Sequence, residues 1–222
     1  MLIKIPLVYQ VAGLALLSYF IGSIPFGFLL GRFKGIDLRR QGSNNIGATN
    51  AGRVLGKKYF FLVLFLDAAK GFIPTLIAGQ ILFRANASRP LMNMLWLIVA
   101  FCAIAGHNWP CWLKFKGGKG VATSLGVVLA IYPYYTFPGL IAFGVWIVLV
   151  KLTSYVSLGS IAAAASFLFG YLFLLITQST WTFADQWPLL LFASFMVSVL
   201  ILRHWSNIRR LRTGTENKFS LE

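Results

Sequence analysis

Gly106 to Thr123 reads GHNWPCWLKFKGGKGVAT, with Lys114, Lys116 and Lys119 crowded around Gly117, Gly118 and Gly120. Glycines let successive backbone N–H groups turn toward one point, and lysines add positive charge. That combination suits phosphate or another compact anion. The spacing is not that of a nucleotide-binding loop: the Walker pattern requires glycine where Leu113 stands. A flexible basic turn that greets lipid headgroups is the plainer reading, but three glycines in four residues exceed what it needs.

A second cluster, GSNNIGATNAGRVLGKK from Gly42 to Lys58, gathers Ser43, Asn45, Thr49 and Asn50 with Gly42, Gly47 and Gly52. Arg53 adds a planar fork suited to phosphate. Serine and asparagine also cap helices, yet a helix start itself offers free N–H groups to an anion. The third cluster is RHWSNIRRLRTGTE, Arg203 to Glu216. His204 and Asn207 are three apart and share a helix face. Alone this would be a basic helix lying on a membrane; beside the other two it suggests a shared site.

The elements that hold these clusters are apolar. Of 222 residues, 58% are hydrophobic and 11% charged, with mean hydropathy +0.76. This is the composition of an integral membrane protein. Twenty Lys+Arg against five Asp+Glu give a net charge of +15. Between apolar spans, such charge fits anionic lipids and phosphorylated substrates rather than nucleic acid. Cys102, Cys111, His107 and His204 complete the metal-binding side chains. They suggest neither a disulfide framework nor a metal site, and no cofactor. His107 reads as a structural hydrogen-bonding group that closes a span with Asn108.

Apolar stretches run over Ile5–Gly31, Tyr59–Phe83, Leu91–Trp112, Val121–Tyr132, Gly139–Val150, Val156–Thr177 and Pro188–Leu202. A crossing needs about 20 helical residues. Pro188–Leu202 is short, but Trp181 and Trp187 can extend it into the interface. The fourth and fifth stretches are short and flank an aromatic, proline-rich turn. They form two short spans or one re-entrant hairpin, with two short spans preferred. The first stretch is too long for a cleavable leader and reads as an anchor. Basic residues crowd the loops after the first, third and fifth spans and the tail, whereas the other side has Lys4, Arg84 and Arg89. The N-terminus is therefore expected outside and the C-terminus in the cytoplasm. The expectation is one all-α domain over 1–222, with about seven transmembrane helices, two of them short. Asp67 and Lys70, three apart in the second span, read as an ion pair near the site. Gly27 and Gly31 read as a close helix contact.

Together, GSIPFG (Gly22–Gly27), GSNNIGATN with Arg53, LDAAKG (Leu66–Gly71), GHNWP with FKGGKGVAT, and RHWSNIRRL with Gly214 and Glu216 resemble the membrane-bound acyl-phosphate:glycerol-3-phosphate acyltransferases of bacteria. The likeness covers nearly the whole chain. One departure is Asn44, where the family pattern has glycine.

The resemblance implies transfer of a fatty acyl group from acyl phosphate to the sn-1 hydroxyl of glycerol 3-phosphate. The products would be 1-acyl-glycerol 3-phosphate (lysophosphatidate) and phosphate, the first acylation of phospholipid synthesis. It also implies a multi-pass protein of the bacterial cytoplasmic membrane with its site on the cytoplasmic side. Membrane lipids would be partners, and there would be a functional link to an enzyme that forms acyl phosphate. By residue, it places Ser43, Arg53, Lys119, His204 and Asn207 around glycerol 3-phosphate. Thr49 and Asn50, with the backbone of Gly117 and Gly118, would cradle the acyl-phosphate group. Asn45, Gly47, Lys116 and Gly120 complete the substrate-binding set. His204, Lys119 and Asn207 would be catalytic.

The hydroxyl proton goes either to His204 or to the donor's own phosphate, with the phosphate preferred. No acyl-enzyme is expected, because neither cysteine has a histidine at useful spacing. The His-x₄-Asp motif of unrelated acyltransferases is absent: Trp112 and Arg209 stand five residues beyond the two histidines. The competing class is a transporter of phosphorylated metabolites, which should carry inverted repeats and polar groups at mid-membrane.

Overall fold

The computed structural model describes residues 6–85 and 87–219. Lys4, the Ile5 start of the first expected span, and Leu221 and Glu222 lie outside these residues. Ten α-helices follow in order: α1 (Leu7–Ser23), α2 (Phe26–Phe33), α3 (Ala48–Leu55), α4 (Lys57–Phe83), α5 (Arg89–Asn108), α6 (Val121–Ala130), α7 (Thr136–Thr153), α8 (Val156–Thr177), α9 (Phe183–Arg203) and α10 (Trp205–Arg212). Six stretches are long and apolar enough to cross a membrane, α1 and α2 counting as one, and α6 is a shorter apolar helix.

The structure corrects two sequence expectations and bears out the extension of the last stretch. The fifth stretch, expected short, is the 18-residue α7. Pro138 lies in its first turn, where its missing N–H had no partner to lose. The last stretch extends before Pro188 through Trp187, as expected: Thr182 accepts a hydrogen bond from the Asp185 N–H and starts α9 at Phe183. The first stretch, expected continuous, breaks at Ile24-Pro25. The freed Ile24 carbonyl accepts a hydrogen bond from Lys70 Nζ at 2.8 Å.

Small residues set the helix packing. α1 lies against α5 and α4 against α6. A Cβ on Gly22 would stand 2.2 Å from the Ala103 carbonyl oxygen, and one on Gly106 would stand 2.2 Å from that of Tyr19. Gly71 and Gly126 make the same reciprocal approach between α4 and α6, against the carbonyls of Thr123 and Ala68. The expected Gly27–Gly31 helix contact is a different one. Those glycines admit the loop carbonyls of Ile46 and Ile36, so α2 packs on the loop that leads to α3.

Candidate active site

One cavity of about 370 Å³ opens among the helices. Its polar end is lined by Ser43, Asn45, Gly47, Thr49, Asn50, Arg53, Lys119, Gly120, His204 and Asn207. Residues from all three clusters therefore meet at one place, although Ser43 and Asn207 are far apart in the chain. Ser157 and Glu216 line it as well.

A chain of hydrogen bonds fixes the mouth. Lys119 Nζ donates to Asn207 Oδ1 at 2.5 Å. Asn207 Nδ2 donates to Glu216 Oε1 at 2.6 Å, and Ser157 Oγ donates to the same oxygen at 2.7 Å. Arg210 Nε holds Glu216 Oε2 at 2.7 Å. Arg53 donates to the carbonyls of Asn217 and Lys218, and its guanidinium lies over the Phe219 ring. Phe219 packs against Phe60 and donates its N–H to the Ser154 carbonyl. The segment after α10 thus straps α3, α4 and α8 together across the opening. The motif likeness included Glu216 but gave it no role, and Ser157 was missed altogether. A lone acid in the most basic stretch of the chain was the available signal for Glu216; no local pattern marked Ser157.

The charges are shaped by burial. Burial lowers the Lys119 ammonium to about 8, and Arg210, Arg53 and Arg203 push the same way against the attraction of Glu216. His204 is lowered to about 4, chiefly by burial and then by the Lys119 charge. Its Nδ1 lies 2.9 Å from the Leu200 carbonyl, which can only accept. The neutral ring thus carries its proton on Nδ1 and leaves Nε2 as an acceptor. Burial pushes Glu216 upward, but hydrogen bonds from Ser157, Asn207 and Arg210 outweigh it and keep the carboxylate ionised. The mouth therefore presents net positive charge around one fixed carboxylate.

Other expected site residues take different places. Gly117 N–H donates to the Asn108 carbonyl and Gly118 N–H to that of His107, so neither is free to cradle an anion. Their glycine character has another cause. A Cβ on Gly117 would stand 2.1 Å from the His107 carbonyl oxygen, and one on Gly118 would stand 2.1 Å from His107 Nε2. Arg203 closes over the outside of this turn by donating to the carbonyls of Asn108, Gly117 and Gly118. Lys116 is exposed and off the cavity.

Asn50 is also committed to the protein. Its Oδ1 accepts from the Ser43 N–H, and the two hydrogens of its Nδ2 are shared among the carbonyls of Leu38, Gln41 and Asn45. It borders the cavity, but its polar atoms are spent on folding the loop. Asn45 Oδ1 accepts from Gly47 N–H, and Gly47 begins α3 with no side-chain cap. The first turn of α3 therefore opens on the cavity at Gly47 and Thr49. Asn44, the departure from the family pattern, has φ +57°, a conformation that asparagine tolerates better than most residues. Asp67 and Lys70 are paired at 2.8 Å, with His107 Nδ1 3.7 Å from the same carboxylate oxygen. Asp67 and His107 both line the cavity.

A family profile described as glycerol-3-phosphate acyltransferase matches residues 12–214. The chain belongs to that family. A glycerol-3-phosphate acyltransferase of Desulforamulus reducens is 45% identical over 202 residues, 90% of this chain and 91% of the relative. One from Aquifex aeolicus is 42% identical over 208 residues, 93% of this chain and 97% of its own. The crystal structure of PlsY, an integral membrane glycerol 3-phosphate acyltransferase, in its glycerol 3-phosphate form has a TM-score of 0.80 and 40% identity. It covers 95% of this chain and 96% of its own. The lysophosphatidic acid form of PlsY has a TM-score of 0.78 and 39% identity, covering 96% of each chain.

Proposed function

We propose that this acyltransferase moves a fatty acyl group from acyl phosphate to the sn-1 hydroxyl of glycerol 3-phosphate. It releases lysophosphatidate and phosphate and begins phospholipid synthesis. The observation that carries the reading is a cavity with Lys119, Arg53 and the uncapped start of α3 among its polar lining and a larger set of apolar side chains from α6, α7, α8 and α9. A donor with a phosphate head and a hydrocarbon tail matches both sets. The acceptor needs only the polar one.

Lys119 and Arg53 attract the phosphates, and Ser43 and Asn207 supply directional hydrogen bonds. Holding the acceptor hydroxyl against the acyl carbonyl removes much of the entropic barrier. The hydroxyl oxygen forms a bond to the carbonyl carbon, and the carbon–oxygen bond to phosphate breaks. Lys119 stabilises the charge that develops. The departing phosphate takes the hydroxyl proton, so the reaction balances without a protein base. His204 is neutral and a poor base at a pKa of about 4, which fits a route in which the phosphate takes the proton.

In the membrane, α6 crosses together with the six longer stretches to make seven spans. The N-terminus lies outside, and the basic mouth and C-terminus face the cytoplasm, as the lysine and arginine bias supports. The site then sits where a water-soluble acceptor and a lipid-borne donor can both reach it. An acyl-phosphate-forming enzyme would supply the donor.

Purified protein given palmitoyl phosphate and labelled glycerol 3-phosphate should form lysophosphatidate and phosphate in equal amounts, without added metal or coenzyme A. Product formed from palmitoyl-coenzyme A but not from palmitoyl phosphate would reject the donor. Uptake of label into sealed liposomes without acylation would favour transport.

A further inference from the structure

Beyond its polar mouth the cavity continues as an apolar shaft among the long helices. Its lining residues recur every three or four positions, one face per helix. On α8 they run from Ser157 to Phe167, and α9 carries them from Phe192 up to its C-terminal end, beside His204. At a rise of about 1.5 Å per residue, these distances are about 15 Å and about 18 Å. Phe167 meets Tyr135 edge-on at 5.2 Å between ring centres. Tyr135 is 1% exposed, and its hydroxyl donates to the Leu189 carbonyl. The ring is therefore held from below as well as from the side. One turn above Phe167, the wall of α8 is the two small residues Ala163 and Ala164.

On the acyl-phosphate reading above, we propose that Phe167, Phe192 and Tyr135 form a floor that sets the length of acyl chain the enzyme prefers. An extended chain advances about 1.25 Å per carbon. With the carbonyl held beside Lys119 and His204, a shaft of about 15–18 Å accepts roughly twelve to fourteen carbons. A longer tail must fold back or slip between helices into lipid, and gains less from each added carbon. Ala164 keeps the bore open; a larger side chain there raises the floor by one helical turn, about 5 Å, equivalent to roughly four carbons.

The test compares kcat/KM for a series from octanoyl to octadecanoyl phosphate, using the full chain in detergent at saturating glycerol 3-phosphate. For the wild type, kcat/KM rises severalfold with each added pair of carbons until about twelve to fourteen, then levels. Phe167→Ala extends the rise by about two to four carbons. Ala164→Phe lowers kcat/KM for tetradecanoyl phosphate by about tenfold relative to octanoyl phosphate. Ala164→Leu makes a smaller change in the same direction and serves if the phenylalanine variant does not fold. A rise that continues unbroken to octadecanoyl phosphate, or a break that none of these variants moves, overturns the floor. Failure of every acyl phosphate to react would instead remove the donor assignment on which the proposal stands.

Discussion

Residues 114–120 and residues 213–219 reach the same cavity mouth in opposite ways. The first segment turns its backbone inward: Gly117 and Gly118 bond to the carbonyls at the end of α5, and among its lysines only Lys119 lines the cavity. The second lacks a glycine cluster, yet its Glu216 binds Asn207, Ser157 and Arg210, and its main chain binds Arg53. A glycine-rich stretch can therefore exist to let backbone pass close to a histidine, while the polar geometry of the site comes from an acid in a basic tail.

The comparison can be broken most directly at its two ends. Lys119→Ala should lower kcat/KM for glycerol 3-phosphate by about 10²–10³-fold with an intact thermal transition; near-normal turnover would remove Lys119 from the site. Glu216→Gln should cost about 10–100-fold, with a raised KM, because the ionised hub loses strength toward Arg210 and Asn207. Unchanged kinetics would make the tail a bystander. Gly118→Ala separates the two readings of the glycine loop. Its Cβ must displace His107, so the melting temperature should fall, by about 1–3 kcal/mol of stability. An unchanged melt with lost substrate binding would restore the anion-cradle role.

The pH profile sharpens the picture further. With Lys119 at about 8, its ammonium is present below that pH and lost above it. The value of kcat/KM should therefore fall on the alkaline side, and Lys119→Arg should remove that fall. With His204 at about 4 against an ordinary value of 6.5, no inflection from its ring should appear near 6.5. The smallest effect belongs to Lys116→Ala: within about twofold at moderate salt, measured by the same assay, because the side chain is exposed.

How much of this was legible in the sequence follows from the range of the interactions. Apolar run length located the helices, since lipid forces the backbone to bond to itself. Proline misled at Pro138, where its place in a first turn settles the matter rather than the residue type. Arg53, Lys119, His204 and Asn207 were legible as cationic or polar side chains in unusual neighbourhoods, and all four reach the cavity. Asn50 looked the same in one dimension, but its hydrogen bonds close its own loop. Ser157 could not be found, because what distinguishes it is a partner 59 positions away.

The strap formed by residues 215–219 ties the cavity mouth to a segment that follows every membrane-crossing helix in the chain. A chain cut before Thr215 would retain every membrane-crossing helix and still lack Glu216 and the carbonyls that hold Arg53. A truncation at that point should therefore assemble in the bilayer with its turnover reduced, because Asn207, Ser157 and Arg53 lose their shared anchor.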